Sequence, residues 1–195
     1  TYQYTGQSGG NFNYHVTLKI YRYCTGGTAA LDQQALLGIF LQDPALPNAD
    51  KNWYETSIMP ITSQQFITPP SPGINCNFNA SVCVEEGIYE SDISLPPNAG
   101  GYHLIVERCC RNGNIVNLSS PGSIGMTYYT FIPPAPVINS SPQFSDIPVP
   151  YICIGDTVNI VNNAIDPDGD VLVYSFETPY IGYSGTMGAI PDPQI

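Results

Sequence analysis

Two adjacent cysteines, Cys109 and Cys110, constrain this chain more than any other feature of its sequence. They follow an apolar run at residues 102–106 that is typical of a β-strand. Neighbouring side chains of a strand point to opposite faces, so the two thiols are expected to face different surroundings. A bridge between them is not expected, because a disulfide needs converging Cβ atoms on well-separated Cα atoms. We therefore expect one strand end to be fastened to two other parts of the chain.

All six cysteines are expected to form disulfides. Their number is even, and the sequence contains no paired Cys-x-x-Cys metal motif with histidines beside it. We predict a local bridge between Cys76 and Cys83, which leaves Cys24 and Cys153 as partners for the two adjacent cysteines. Six cysteines allow about 15 connectivities, so the order of the last two pairs stays open. Disulfides indicate an oxidising, extracellular compartment.

The charge of the chain excludes several partners. The net charge is -11, and only 11% of the residues are charged, against about 25% in an average soluble protein. Nucleic acids and anionic membrane surfaces need a basic patch, which five cations among 195 residues do not supply. No apolar run approaches the roughly 18 residues that span a bilayer, so we expect no membrane insertion. Clustered carboxylates suit hard cations such as calcium.

Short strands separated by glycine- and proline-rich turns account for most of the sequence, which predicts an all-β protein. The strands that we predict are residues 1–4, 13–24, 36–41, 53–61, 87–95, 102–110, 126–132 and 171–176. Residues 29–41 also fit a helix, but a strand is favoured because the rest of the chain is β. Gly9 and Gly10 are the expected apex of the first hairpin.

The Asn-Ser-Ser-Pro stretch at residues 139–142 is a predicted domain boundary. Residues 1–138 are expected to form a disulfide-stapled, immunoglobulin-like β-sandwich. Residues 139–195 are too few for a second sandwich of about 100 residues, so we expect them to be the incomplete start of a second immunoglobulin- or cadherin-like β domain. The chain is then expected to be part of a longer protein.

Three carboxylates, Asp166, Asp168 and Asp170, alternate along an Asp-Pro-Asp-Gly-Asp motif. Calcium takes six to eight oxygen ligands in proteins, and alternate aspartates are able to converge on it. The motif is not an EF-hand, because no helices are predicted around it and no glutamate stands at the twelfth position. The alternative is a plain turn built from residues that favour turns.

The sequence offers little for catalysis. Neither His15 nor His103 has an evident nucleophile partner, and no Gly-x-Ser-x-Gly or phosphate-binding loop occurs. Glu85 and Glu86 are adjacent, so in a strand they point apart and do not form a carboxylate pair. We therefore predict that the protein is not an enzyme.

Three of the five cations, Arg22, Arg108 and Arg111, are expected to pair with carboxylates near them, such as Glu107. Arg108 and Arg111 flank the two adjacent cysteines, and their alternative role is to lower the pKa of a thiol there. In an oxidising compartment those cysteines would be oxidised, so ion pairing is favoured.

A series of motifs is similar to a known family. These are Tyr-Arg-Tyr-Cys at residues 21–24, Ile-Ser-Leu-Pro-Pro at 93–97, Cys-Cys-Arg-Asn at 109–112, Pro-Val-Pro-Tyr-Ile-Cys at 148–153 and Asp-Pro-Asp-Gly-Asp at 166–170. In this order they resemble the N-terminal module of large secreted surface proteins of Bacteroidota, similar to gliding-motility adhesins exported by the type 9 secretion system. The last motif resembles the opening of a cadherin-like repeat.

The resemblance implies calcium ligation by Asp166, Asp168 and Asp170. It departs from the family at Tyr23, where the family has an aspartate before its first cysteine, and at Thr1, which already lies inside the first strand. Separately, the triplet around Thr157 resembles the short O-glycosylation signal of Bacteroidota, so Thr157 is a candidate glycosylation site.

The resulting hypothesis is a non-enzymatic, extracellular structural or adhesive module of a long secreted cell-surface or filament protein, linked to bacterial adhesion or gliding. Its partners would be further domains of the same chain and other surface proteins, secretion-system proteins or glycans. One alternative is a carbohydrate-binding module, with Trp53 and the 14 tyrosines as stacking platforms. Another is a filament subunit that assembles by β-strand exchange.

Overall fold

The computed structural model describes residues 1–24, 29–42, 53–67, 83–144, 157 and 163–182. Within these residues the strands are β1 Tyr2–Ser8, β2 Asn11–Tyr23, β3 Gln34–Leu41, β4 Trp53–Ile67, β5 Val84–Leu95, β6 Tyr102–Arg108, β7 Met126–Ile132, β8 Gln143–Phe144 and β9 Ala164–Ile165. The described helical structure is one 3₁₀ turn at Pro121–Ser123. The all-β prediction is confirmed, and the strand is the correct alternative for residues 34–41.

Seven strands form one antiparallel sheet in the order β1-β2-β5-β4-β3-β6-β7. The first part of β4 pairs with β3 and its last part pairs with β5, and the register shifts between Ile61 and Ser63. Because β4 belongs to both halves, the sheet curls into two layers. The prediction that β4 ends at residue 61 is wrong, since the strand continues to Ile67 to pair with β5.

The core lies between the two layers and is built from alternate residues of each strand. One layer contributes the inward side chains of β2 and β5, and the other contributes those of β3, β4 and β6. The most deeply buried large side chains are Tyr89, Ile39, Met59, Leu95, Leu104 and Ile132. Burial of such a side chain contributes roughly 1.5–3 kcal/mol, so this interface is the main source of stability in a chain with few charges.

A buried ion pair closes one end of the core. Arg22 donates to the Glu85 carboxylate and to the Ala29 carbonyl, and Gln64 donates to the other oxygen of Glu85. The Gln64 amide and the Arg22 guanidinium hold the pKa of Glu85 below its usual value, against the effect of burial. Glu86 lies on the outer face and accepts from the Tyr21 hydroxyl at 2.9 Å. The two glutamates point apart, as predicted.

The cross-strand disulfide joins Cys24 to Cys83, with Cα atoms 5.1 Å apart. These residues continue the β2–β5 register beyond the Tyr23–Val84 pair, and the Cys24 N–H donates to the Cys83 carbonyl at 2.9 Å. The predicted bridge from Cys83 to Cys76 is therefore wrong, because the register places Cys24 opposite Cys83. Cys76 lies outside the described residues.

Cys109 and Cys110 are bonded to each other, so the predicted bridges from this pair to Cys24 and Cys153 are wrong. The prediction assumed that the strand includes both cysteines. In the structure β6 ends at Arg108, and the rule that neighbours face opposite sides does not apply beyond that point. Cys153 lies outside the described residues.

Replacement of Cys24 and Cys83 by alanine is expected to lower the free energy of unfolding by about 2–5 kcal/mol, because the bridge restricts a long loop in the unfolded chain. Its sequence separation is 59, against 1 for the Cys109–Cys110 bridge. Guanidinium unfolding checks the loss, with the Cys109/Cys110 double alanine variant as the control that should lose less. An equal loss in both variants would contradict this explanation.

Candidate functional site at residues 166–170

Asp166 organises the turn that carries the three candidate calcium ligands. Its Oδ1 atom accepts from the backbone N–H of Asp168 at 2.9 Å and of Asp170 at 3.3 Å. Its carbonyl accepts from the N–H of Gly169, whose φ of 84° lies in the left-handed region that favours glycine. The motif is therefore a local turn whose first aspartate satisfies backbone donors.

Asp168 points away from this turn and binds Ser140. Its carboxylate accepts from the Ser140 backbone N–H and from the Ser140 hydroxyl, the latter at 3.4 Å. Ser140 is only 3% exposed, so the aspartate attaches the turn to a buried part of the boundary segment. This contact holds residues 166–170 against the sheet.

The three carboxylates share one turn, but the structure does not bring them together around a common point. Among the residues that the structure describes, no group of three or more His, Cys, Asp or Glu side chains is arranged to hold a metal ion. The oxygen donors suit calcium chemically, yet Asp166 serves the backbone and Asp168 serves Ser140. Calcium ligation by Asp166, Asp168 and Asp170 stays a prediction.

The charges of this turn act on the first strand. The pKa of Tyr2 is raised, mainly by burial and further by the nearby charges of Asp168 and Asp166. The side-chain amide of Asn139 donates to the Tyr2 hydroxyl at 2.8 Å and opposes this shift. Tyr2, the boundary segment and the acidic turn therefore form one contact region at the start of β1.

A second contact attaches residues 180–182 to the other edge of the sheet. Arg111 donates through Nε to the Gly125 carbonyl at 3.1 Å and through Nη2 to the Tyr180 carbonyl at 2.8 Å. The Tyr180 ring packs edge-on against Tyr129 of β7, with 5.8 Å between ring centroids. A Cβ atom on Gly125 would clash with the Gly182 carbonyl, and a Cβ atom on Gly182 would clash with the backbone of Met126.

The arginines differ from their expected partners. Arg108 pairs with Asp32, and Arg22 pairs with Glu85, so two of the three meet carboxylates that are distant in sequence. Arg111 instead binds backbone carbonyl groups. No local charge pattern could have revealed this role, because residue 180 is brought to Arg111 only by the fold.

His103 lies behind Tyr129 and is buried. Its Nε2 faces the Gln42 side-chain oxygen and its Nδ1 faces the Tyr129 hydroxyl at 2.8 Å. An Nε2–H donor to Gln42 and an Nδ1 acceptor satisfy both contacts with a neutral ring. Burial lowers the pKa of His103, which favours this neutral form.

Residues 171–176 do not form the predicted strand. They have no assigned secondary structure, and Val171, Val173 and Phe176 are 92%, 89% and 107% exposed. A strand requires a neighbouring backbone, and within the described residues none pairs with this segment.

The candidate sugar-stacking and glycosylation residues differ in how far they are exposed. Tyr2, Tyr14, Tyr89 and Tyr102 are buried in the core, so they are not stacking platforms for sugars. Trp53 is 56% exposed, and its indole N–H donates to the Thr56 hydroxyl at 3.2 Å. Thr157 is exposed, as glycosylation requires, and its immediate neighbours lie outside the described residues.

Comparison with protein-family models, with curated proteins and with solved structures found no match to this chain. Within the described residues, no helix has the length and apolar character needed to cross a membrane.

The parent protein is expected to lose stability as the pH falls, because the buried His103 becomes protonated. The His103→Gln variant is expected not to show this loss. The pKa of His103 is lowered in the folded state, so its contribution is complete above the unfolded value of about 6.5 and is lost as the pH falls below it. Urea unfolding between about pH 5 and pH 8 measures the difference between parent and variant. That difference should decrease as the pH falls.

His15 provides a control in which the contribution to stability changes with pH in the opposite direction. Hydrogen bonds to Asp92 at 2.8 Å and to Glu90 at 3.4 Å raise its pKa, against burial. Its contribution is therefore complete below about pH 6.5 and is lost as the pH rises through the folded value. The parent should gain stability over the His15→Gln variant as the pH falls. Differences that do not change with pH in either variant would contradict both assignments.

Proposed function

We propose that this chain is a non-enzymatic structural and adhesive module of a long, secreted cell-surface or filament protein, with a role in bacterial adhesion or gliding. One observation carries the proposal. The segment that follows the sheet is attached to it at two separate places, through Asp168 on Ser140 and through Tyr180 on Arg111. Two attachments resist bending better than one linker, which suits a module that transmits force between neighbouring domains.

The finer assignments rest on the sequence and are compatible with the fold. Residues 1–138 would be an immunoglobulin-like sandwich, and residues 139–195 the start of a cadherin-like domain. The curled antiparallel sheet and the Cys24–Cys83 bridge support this type of module and an extracellular location. The order of motifs from residue 21 to residue 170 supports a relation to surface proteins of Bacteroidota that leave the cell by type 9 secretion.

Arg111→Gln tests the role of the joint in cells that produce the whole protein. The variant loses the donors to Gly125 and Tyr180, so we expect about two- to tenfold less attachment at unchanged surface display. Attachment is counted under flow, and an antibody against this chain measures display on intact cells. Arg108→Gln is the matched control, because Arg108, at the end of β6, pairs with Asp32 just before β3. Antibody labelling only after lysis, or equal attachment by parent and both variants, would contradict the proposal.

Calcium at residues 166–170 is part of the proposal. The support is the carboxylate chemistry of Asp166, Asp168 and Asp170 and the position of their turn between the sheet and the following segment. A cation bound there would neutralise the charges that lie close to Tyr2 and stiffen the joint. Asp168 would have to exchange Ser140 for the ion.

Calcium is expected to raise the melting temperature of the chain by about 5–10 °C at a concentration about 100 times its Kd, since binding to the folded state alone then contributes about 2.7 kcal/mol. Scanning calorimetry in calcium and in chelator measures the shift. Asp166→Asn should abolish it, whereas Glu55→Gln removes an exposed charge on β4 and should keep it. Identical melting of the parent in both buffers would eliminate calcium from the proposal.

A further inference from the structure

The outer edge of β1 has backbone donors that β2 does not use. Thr1 and Thr17 exchange backbone hydrogen bonds of 2.9 Å, so before the register shift between Tyr4 and Gly6 it is the odd-numbered residues that bond to β2. The N–H groups of Tyr2 and Tyr4 therefore point outward. Such an edge is a template for pairing with another extended chain unless something covers it.

Two serines cover this edge. The Ser141 hydroxyl accepts from the Tyr2 N–H at 2.7 Å, and the Ser140 hydroxyl accepts from the Tyr4 N–H at 3.2 Å. The Ser141 N–H donates back to the Tyr2 carbonyl at 2.8 Å. Both serines are buried, with 3% and 7% of their surface exposed. They replace the carbonyl groups that a neighbouring strand would supply.

Asp168 positions the first of these serines. The Ser140 hydroxyl donates its hydrogen to Asp168 at 3.4 Å, which leaves its oxygen lone pairs for the Tyr4 N–H. The backbone N–H of Ser140 donates to the same carboxylate. We name Ser140, Ser141 and Asp168 the edge guard. Without the carboxylate, the Ser140 hydroxyl is free to turn away from Tyr4.

The same molecule exposes a segment that fits such an edge. Residues 171–176 have the composition of a β-strand. Three of their apolar side chains are almost fully exposed. An extended apolar segment adds to an open sheet edge through main-chain hydrogen bonds and buries its side chains there. Within one copy, the edge guard occupies the place that the added strand would take.

We propose that the β1 edge is an acceptor site for residues 171–176 of a second copy of this chain, and that the edge guard keeps this site closed. Opening the guard exposes the N–H groups of Tyr2 and Tyr4 to the incoming strand. Because donor and acceptor are different surfaces, each added copy presents a new acceptor, and association continues head to tail. This inference requires neither calcium nor adhesion, although a cation on Asp168 would compete with Ser140 for its carboxylate.

Asp168→Ala in chelator removes the carboxylate that orients Ser140 and so opens the guard at Tyr4. Amide exchange at Tyr4 should become at least about fivefold faster in dilute monomeric samples. Sedimentation velocity should then show association that grows with concentration, whereas the parent stays monomeric. Glu55→Ala, which removes an exposed carboxylate from β4, is the control and should behave as the parent does. A monomeric Asp168→Ala variant at every concentration would overturn the proposal.

A second substitution identifies the donor. Val173→Lys in the Asp168→Ala background should abolish association, because it places a charge in the added strand. Association that persists in the double variant would overturn the assignment of residues 171–176. If circular dichroism shows that Asp168→Ala unfolds, Ser140→Ala decides by the same sedimentation assay. That variant removes only the hydroxyl, and a monomer would then overturn the acceptor site.

Discussion

Continuous backbone pairing through β4 is the constraint on which the rest of the structure depends. One half of this strand bonds to β3 and the other half to β5, so the two layers are parts of one sheet and face each other. The core can form only because that strand changes partner at the register shift near Ile61. The Cys24–Cys83 bridge and the Arg22–Glu85 pair then hold the end of the layer that contains β2 and β5. Stability comes mainly from burial, and the Arg22–Glu85 pair lies at one end of the core.

The curl leaves two edge strands, β1 and β7, and the segment after the sheet contacts both. At β1 the contact is polar, because the free N–H groups of that edge require acceptors, which two serine hydroxyls provide. At β7 the contact consists of the Tyr180 ring, which packs against Tyr129, and of Arg111, which donates to the Tyr180 carbonyl. Residues 139–144 and 163–182 therefore make contacts that hold both edges of the sheet. A joint of this kind couples the stability of the sheet to the position of the next segment.

Asp168 illustrates how one side chain can carry competing roles. In the structure its carboxylate is a hydrogen-bond acceptor for Ser140, and that contact covers the sheet edge. In the proposed calcium site the same oxygens would be ligands. Because a carboxylate that binds a cation gives up part of its capacity to accept hydrogen bonds, the ion and the edge guard would be linked. The motif at residues 166–170 is therefore better understood as part of the joint than as an isolated loop.

The sequence by itself determined the class of the fold and most strand positions, because alternation of apolar and polar residues depends only on neighbours along the chain. It predicted β7 at its observed bounds, favoured a strand over a helix for β3, and placed Glu85 and Glu86 on opposite faces. Tertiary structure alone decided the disulfide partners, the length of β4 and the binding of Asp168 to Ser140, and it left residues 171–176 without a strand partner among the described residues. Each of these depends on which distant backbone lies alongside, and local sequence patterns contain no information on that choice.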